Sequence, residues 1–276
     1  MIKVGCTFRA GLIPWLWEHG ELVDTYEHSL DAFVAAGDDG LRAAATCAEM
    51  RDFSLHCIDL SLGSPSAASR PEQLGEMRQV IDLMGATMVS DHLAYSRVGD
   101  RRLHDFAPLW RVEEQLDLFA DNVDFVQEVL GVQVAVENVA SLYDPGGEMT
   151  GAEFANEVRD RTGCALLLDI SNVVINEVNG FCDAAAEFDG LDLDGVVEVH
   201  MAGGELVDGL MWDAHSSPLP VGDVEWLERL LPRMPNCDRV IVERDERLQA
   251  GDELVEDLRR VRGAVDRALG AVALGA

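Results

Sequence analysis

Short apolar runs recur along the chain, and each is followed by a polar or glycine-containing turn and then by a helical pattern. This alternation is typical of βα units and a parallel sheet. The pattern predicts eight strands, several of them apolar throughout, as expected of strands that are buried on both faces. The predicted strands are Val4–Phe8, Leu22–Tyr26, Phe53–Ile58, Thr87–Ser90, Val132–Val136, Ala165–Leu168, Val196–Val199 and Val240–Val242.

Between the strands, apolar residues recur at intervals of three and four, which predicts amphipathic helices. One stripe runs from Val112 to Val126. A capping box of Thr150 and Glu153 predicts the start of the next helix, and Gly163 predicts its end. Further helices are predicted over Glu72–Met84, Val224–Leu231 and Asp252–Leu269. Because no linker interrupts the alternation, we expect one α/β domain over residues 1–276, a single (β/α)8 (TIM) barrel.

Composition and charge narrow the class of protein. The chain has 276 residues, 48% of them hydrophobic and 26% charged, which is typical of a globular enzyme. The net charge of −30 repels phosphate backbones, so we expect no nucleic-acid partner. No apolar run approaches the ~18 residues that a membrane helix needs. The six cysteines are scattered without C-x-x-C spacing. We therefore expect a cytoplasmic protein with reduced thiols and no membrane partner.

Residue types that bind metals stand at or directly after the ends of six predicted strands. They are His56, His92, Glu137, Asp169, His200 and Glu243. The intervals between them are 31 to 45 residues, about one βα unit each. Because the carboxyl ends of barrel strands converge on one face, we expect these side chains to meet at the C-terminal mouth. Metal ions are the natural counter-charge for such a group of buried polar side chains.

Three more residues extend the candidate set. Asn172 follows Asp169 closely, and the i, i+2 spacing of Asp213 and His215 lets both side chains point to one side of an extended segment. Nine candidate ligands exceed what one octahedral ion can use, so two or three ions are implied. Imidazole and carboxylate without thiolate fit iron, manganese or zinc, and fit structural zinc or iron–sulfur clusters poorly.

These residues stand in short motifs that follow one another along the chain between Phe53 and Leu248. The motifs are Ser54-Leu55-His56 with Leu60-Ser61-Leu62-Gly63-Ser64, Ser90-Asp91-His92-Leu93-Ala94, Glu137-Asn138-Val139, Leu168-Asp169-Ile170-Ser171-Asn172-Val173, His200-Met201-Ala202-Gly203, Asp213-Ala214-His215 and Glu243. Together they resemble the DUF692 family of multinuclear non-haem iron-dependent oxidases, which modify ribosomally made peptides; the methanobactin biosynthesis oxidase is one kind. Upstream, Tyr26-Glu27 resembles the family's first acidic strand end.

The resemblance implies a xylose-isomerase-like barrel that holds two to three iron ions in mixed Fe(II)/Fe(III) states. When the family's ligands are carried over residue by residue, the resemblance implies that one ion is held by Glu137, Asp169, His200 and Glu243. A second ion is held by His56, His92 and the bridging Glu137. A third is held by Asn172, Asp213 and His215. We expect the catalytic residues to be Glu137, His92 and Asp169.

The resemblance also implies the reaction and its partners. A peptide cysteine thiolate binds Fe(II), O2 is the co-substrate, and hydrogen is removed from the cysteine β-carbon. The substrate is then a Cys-containing precursor peptide, and we expect a separate small partner protein that binds its leader segment. The chain departs from the family at Gly204, where many relatives carry a histidine.

Two other enzyme classes use similar ligands on the same scaffold. A divalent-metal sugar isomerase or epimerase would need an active-site lysine or histidine to move a proton or hydride, and the only lysine, Lys3, is far from any predicted strand end. A three-metal phosphodiesterase resembling endonuclease IV is the other alternative. The charge of −30 speaks against a DNA substrate for it, but not against a small phosphate ester.

Overall fold

All eight predicted strands are present in the protein, whose computed structural model describes residues 1–49, 52–65, 70–99, 101–248 and 251–275. The strands are β1 (Lys3–Thr7), β2 (Thr25–Ser29), β3 (Asp52–His56), β4 (Met88–His92), β7 (Gln133–Glu137), β8 (Ala165–Asp169), β9 (Val196–Ala202) and β12 (Arg239–Glu243). They neighbour one another in the order β1-β12-β9-β8-β7-β4-β3-β2, which closes into a barrel. The predicted α/β barrel is confirmed.

Five of the described helices follow the predicted amphipathic stripes, and the other five are not predicted by the pattern. In chain order they are α1 (Ile13–His19), α2 (Leu30–Ala35), α3 (Gly37–Ala48), α4 (Pro71–Met84), α5 (Glu113–Leu130), α6 (Gly151–Thr162), α7 (Ile170–Val178), α8 (Ala184–Gly190), α9 (Val221–Leu230) and α10 (Gly251–Gly275). The predicted helices are α4, α5, α6, α9 and α10. The capping box that begins α6 is formed by Thr150 and Glu153, and Gly163 ends the helix in the left-handed conformation. Among the described helices, none is long and apolar enough to cross a membrane.

The second strand differs from its predicted position. The apolar pattern predicts Leu22–Tyr26, whereas β2 begins at Thr25 and ends at Ser29. Gly20–Leu22 forms a short 3-10 helix, and Val23 is fully buried just before the strand. The strand itself has the sequence Thr-Tyr-Glu-His-Ser, so its buried residues are mostly polar. A search for apolar runs therefore finds the approach to the strand and not the strand.

The chain forms two compact units, and the first combines residues 1–27 with 167–276. In this unit β1 pairs in parallel with β12, from Lys3 opposite Arg239 to Cys6 opposite Val242. Strand β12 pairs with β9, which places Glu243 opposite Ala202. Residues on both sides of these strands are buried, because helices α9 and α10 cover the outer face with apolar side chains. These include Val224, Leu227, Leu254, Leu258, Val261 and Val265.

The second unit spans residues 28–166. Its strands β4 and β7 pair in parallel, with His92 opposite Glu137 at their carboxyl ends. Strand β3 pairs with β4 at His56 and Ser90. Helices α4, α5 and α6 bury their apolar faces, and Phe119 meets Phe154 edge to face with ring centroids 6.1 Å apart. The register thus places the ends of β4 and β7 side by side, while the end of β3 lies beside Ser90.

Each unit also carries an antiparallel hairpin that the pattern analysis does not predict. In residues 28–166, β5 (Ala94–Val98) pairs with β6 (Arg101–Pro108) directly after β4. In the other unit, β10 (Glu205–Val207) pairs with β11 (Leu210–Trp212) directly after β9. The second hairpin turns at Asp208 and Gly209, which both have positive φ. Each hairpin follows a strand that carries a candidate ligand, His92 in β4 and His200 in β9.

Candidate metal centre

The candidate ligands stand where the barrel strands end. His56, His92, Glu137, Asp169 and Glu243 are the last residues of β3, β4, β7, β8 and β12, while His200 lies inside β9. All six side chains are buried, with at most 8% relative exposure. The strand boundaries therefore place five of these six residues at strand ends, as expected.

In the unit of residues 28–166, two imidazoles face one carboxylate. His92 Nε2 lies 3.4 Å from Glu137 Oε2, and His56 Nε2 lies 3.7 Å from the same oxygen. These separations exceed hydrogen-bond distances. Atoms bound to one ion at ~2.1 Å are about 3 to 3.5 Å apart; the His92 separation lies within this range, and the His56 separation is slightly longer. The three residues form a group whose ligand atoms lie within 4.8 Å of one another.

The other nitrogen of each imidazole has its own neighbour. His56 Nδ1 lies 2.8 Å from Ser90 Oγ, and His92 Nδ1 lies 3.4 Å from Asp91 Oδ1. Metal-binding histidines commonly use the second ring nitrogen for a hydrogen bond that fixes the ring orientation, as Ser90 does for His56. Phe106 of β6 stacks on His92 with ring centroids 3.9 Å apart. The hairpin therefore covers one face of a candidate ligand with an apolar ring.

In the other unit, His200 is surrounded by carboxylates. Its Nδ1 lies 3.3 Å from Glu243 Oε2. Its Nε2 lies 2.8 Å from Glu27 Oε2 and 3.4 Å from Glu198 Oε1. Ligand atoms of Asp169, His200 and Glu243 lie within 4.8 Å of one another, as do those of Glu27, Glu198 and His200. Each side of this buried imidazole thus offers a set of oxygen atoms.

The carboxylate Glu198 is a site residue that the apolar pattern missed. It lies inside the predicted strand Val196–Val199 and is fully buried. Two residues before His200, it faces the same side of β9, and this spacing is the signal that could have found it. Arg239 Nε lies 3.9 Å from Glu198 Oε2 and supplies part of its counter-charge.

Electrostatics at His200 favour a cation. The pKa of Glu27 is raised to about 7, chiefly by burial; His200 lowers it, and the neighbouring carboxylates Glu243 and Glu198 add to the increase. A carboxyl with such a pKa is in an environment that disfavours a second negative charge. A divalent ion at this place would relieve that repulsion.

Asp169 links the end of β8 to the start of α7. Its Oδ1 accepts a hydrogen bond from the backbone N–H of Asn172 at 2.7 Å, so it caps the helix. This contact holds Asn172 in the first turn, where it is 3% exposed. Between them, Ser171 Oγ accepts a hydrogen bond from the Ala202 N–H at 3.1 Å and ties α7 to the end of β9.

Asp213 and His215 are brought together with Glu243. His215 Nε2 lies 2.9 Å from Asp213 Oδ1 and 3.7 Å from Glu243 Oε2. Burial disfavours the charged imidazole, but Glu243, Asp213 and a hydrogen bond with Asp245 outweigh burial and raise the pKa of His215 well above its usual value. The carboxylates around His215 thus favour its protonated form, and an ion that binds its nitrogen competes with a proton.

The donor chemistry fits a hard or borderline cation. Imidazole nitrogens and carboxylate oxygens form the groups, and no cysteine belongs to them among the described residues. Burial raises the pKa of Cys6 and of Cys237 to about 12, and Cys57 is fully buried next to His56. Burial thus disfavours the thiolate form of Cys6 and Cys237. Iron, manganese and zinc all suit such a set.

The glycine at the departure from the family motif is required by its surroundings. A Cβ at Gly204 would lie 2.7 Å from the carbonyl oxygen of Trp212 and 3.2 Å from Met211 Sδ. Both neighbours belong to β11, so the hairpin β10–β11 occupies the place where a larger side chain would stand. A histidine at position 204 does not fit this hairpin.

A closed parallel barrel with buried imidazole and carboxylate groups at its strand ends defines the class of metal-binding TIM-barrel enzymes. The match to one family is specific. A family model described as the RiPP precursor modification enzyme MbnB/TglH/ChrH matches residues 3–266. The chain belongs to this family of enzymes, which act on precursors of ribosomally synthesised and post-translationally modified peptides, and the resemblance to DUF692 is confirmed.

Relatives and solved structures agree with this assignment. A UPF0276 protein of Rhizorhabdus wittichii is 30% identical over 240 residues, which cover 87% of this chain and 86% of the relative. A xylose isomerase domain protein from Planctomyces limnophilus has a TM-score of 0.64 at 13% identity and covers 98% of both chains. Endonuclease IV from Thermus thermophilus has a TM-score of 0.58 at 18% identity and covers 96% of this chain and 99% of its own. These two structures show a shared xylose-isomerase-like fold.

Proposed function

We propose that this chain is an iron- and O2-dependent oxidase that modifies cysteine residues of a ribosomally made precursor peptide. The proposal builds on the family membership, which covers RiPP precursor modification. One structural observation carries it further: buried imidazole and carboxylate atoms converge at the spacing of metal ligands, and no cysteine joins these groups among the described residues. In this proposal the soft sulfur ligand comes from the substrate.

We assign the nine candidate residues to ligand sets. In the unit of residues 28–166 the set is His56, His92 and Glu137, and in the other unit it is Asp169, His200 and Glu243, with Asn172, Asp213 and His215 for a further ion. The additional, bridging role of Glu137 that the family resemblance implies stays a prediction, as does the catalytic role of Glu137, His92 and Asp169.

Iron, when bound, would supply an open coordination position for a cysteine thiolate and one-electron chemistry with O2. The chain's own residues prepare that position. Ser90 beside His56 holds that ring with Nε2 towards Glu137. Phe106 stacks on one face of His92 and shields it from water. The carboxylates around His215 favour its protonated form, so a cation that binds its nitrogen competes with a proton.

The partners in this proposal are a Cys-containing precursor peptide and a small protein that binds its leader segment. We propose that the second partner is a separate chain, because the elements of this one are those of the barrel and its two hairpins. Co-purification with the product of the neighbouring gene would support this proposal. Full activity of this chain alone on the peptide would contradict it.

The first experiment measures metals in protein purified without added metal or chelator. We expect two or more iron ions per chain, and an electronic or Mössbauer spectrum that changes when O2 is added. The anaerobic iron protein should then consume O2 and change the mass of a Cys-containing precursor peptide. Zinc or manganese without any response to O2 would contradict the oxidase and favour hydrolysis or isomerisation.

Variants test the assignment of the ligands. Glu137→Ala should lose more metal than any other single ligand variant, because Glu137 is proposed to bind two ions. Asn172→Ala and His215→Ala should mainly empty one site. The exposed Glu113 is a matched control, and Glu113→Ala should leave the metal content unchanged. Unchanged metal content in Glu137→Ala would show that its bridging role is wrong.

Neither alternative enzyme class has a specific observation in its favour. The neighbours named for xylose isomerase and endonuclease IV share the fold at low identity. The only lysine, Lys3, begins β1 and lies 3.7 Å from Asp238 at the opposite end from the ligands. A lysine-assisted isomerisation therefore has no lysine at the strand ends.

A further inference from the structure

The side chain of Asp245 contacts the candidate ligand His215 from the side opposite to the other carboxylates. Its Oδ2 lies 3.0 Å from His215 Nδ1, while His215 Nε2 lies 2.9 Å from Asp213. The imidazole is 17% exposed. It thus has one nitrogen for the metal-binding group and one for Asp245.

The backbone reinforces this contact. His215 has a φ of +48°, which is unusual for a residue with a side chain. Its carbonyl oxygen accepts hydrogen bonds from the backbone N–H groups of Asp245 at 3.1 Å and Glu246 at 3.4 Å. The loop after β11 and the segment after β12 are thereby joined at one residue. Asp245 contacts His215 through both its backbone and its side chain.

A guanidinium fixes the position of Asp245 in turn. Arg9, two residues after β1, places Nε at 2.6 Å and Nη2 at 2.5 Å from Asp245 Oδ1. Arg9 Nη1 also donates to the Phe8 carbonyl oxygen at 3.2 Å. A guanidinium with two nitrogens on one carboxylate oxygen leaves the other oxygen for His215. Three residues from separate parts of the chain thus form the series Arg9, Asp245, His215.

We propose that Asp245, held by Arg9, is a positioning residue that fixes His215 with its proton on Nδ1 and directs Nε2 to a metal ion. A carboxylate on the second nitrogen of a metal-binding histidine sets the tautomer and the ring orientation, and raises the basicity of the bound nitrogen. The inference rests on the proposed function only in that His215 binds a metal ion. It does not depend on that ion being iron.

Cobalt(II) binding to the full, metal-free chain tests the proposal, with visible absorption as the spectroscopic readout and a competing chelator to measure affinity. Asp245→Asn keeps the size of the side chain and removes its charge. We expect Asp245→Asn to lower the affinity for the cobalt ion that His215 binds by about 10- to 100-fold. The visible spectrum of that ion should change as well. Arg9→Gln should give a smaller change in the same direction.

A double-mutant cycle separates positioning from general stability. In the His215→Ala background, Asp245→Asn should have no further effect on cobalt affinity, because the group it positions is absent. Asp189→Asn is the matched control, since Asp189 also pairs with an arginine, at 2.8 Å, on an exposed surface. Its affinity and spectrum should equal those of the natural chain. Far-UV circular dichroism of each metal-free variant monitors folding.

Unchanged cobalt affinity and spectrum in Asp245→Asn would overturn the inference. An equal loss in the presence and absence of His215 would overturn it too, since Asp245 would then act on the fold. The proposed oxidase fails by a different observation, which is zinc or manganese without any response to O2. The cobalt cycle gives its answer in either case.

Discussion

Asp223 offers a test of how the fold tolerates a buried carboxyl beside the candidate metal centre. It lies in α9 with 3% exposure. Burial raises its pKa to about 6, against the opposite effects of a hydrogen bond with Ser171 and the charge of Arg260. Through Ser171 it connects to the Ala202 N–H, between the start of α7 and the end of β9. The perturbation is Asp223→Asn, which keeps the shape and removes the charge.

The sign follows from the two pKa values. A carboxyl whose pKa is higher in the folded than in the unfolded state binds more protons when folded, so ionisation destabilises the fold. Its contribution is fully present below about pH 4 and is lost as the pH rises through 6. The change from the usual value of 3.8 to about 6 corresponds to about 3 kcal/mol. Asp223→Asn should therefore stabilise the protein by about 3 kcal/mol at pH 8 and by little near pH 4.

The assay is urea unfolding of the metal-free protein, followed by circular dichroism at several pH values between 4 and 8. Other buried carboxyls such as Asp31 are present in both proteins, so their effects cancel in the difference. Asp189→Asn, at an exposed position, should change the free energy of unfolding by less than about 1 kcal/mol throughout this range. A constant difference between Asp223→Asn and the natural chain across this range would refute the reasoning. So would a variant that is less stable at pH 8.

Three further outcomes follow from the packing and the metal centre. Phe119→Ala should cost about 3 to 5 kcal/mol of unfolding free energy, because Phe119 is fully buried against Phe154, whereas the exposed Trp17→Ala should cost little. Gly204→Ala should cost about 1 to 3 kcal/mol in the same measurement, because the new Cβ meets backbone. At Gly222 in α9 an added Cβ would have open space around it, so Gly222→Ala should instead add about 1 kcal/mol to the free energy of unfolding. Equal effects of Gly204→Ala and Gly222→Ala would contradict this explanation. Metal at 100 times its dissociation constant should add about 2.7 kcal/mol to the free energy of unfolding, and a chelator should remove this stabilisation. A melting temperature that changes with neither the metal nor the chelator would argue against a metal site in the folded state.

The sequence pattern predicts the barrel because buried parallel strands are apolar on both faces, as at Val134–Val136 and Leu166–Leu168. It also predicts most candidate ligands, because the first polar residue after such a run is the end of the strand. The same rule fails at β2, whose buried residues Thr25, Glu27 and His28 are polar. A search for apolar runs does not find a strand whose buried side chains are mostly polar.

The remaining site residues depend on contacts between distant segments. Glu198 lies inside an apolar strand, and the fold brings it to His200 together with Glu27 of the distant strand β2. The contact from Arg9 to Asp245 spans 236 residues. No local pattern encodes such a pair, because each partner by itself looks like a charged residue at the surface.

The two compact units differ in how they follow the chain, and this sets the order in which they are completed during synthesis. Residues 28–166 are continuous, whereas the other unit combines residues 1–27 with residues 167–276. Strand β1 pairs early with β2, but its other neighbour β12 begins about 230 residues later, which takes roughly 10 to 50 s of translation. His56, His92 and Glu137 are thus all made while β1 still lacks β12. The ligand set that includes Glu243 is completed only after β12 has been made.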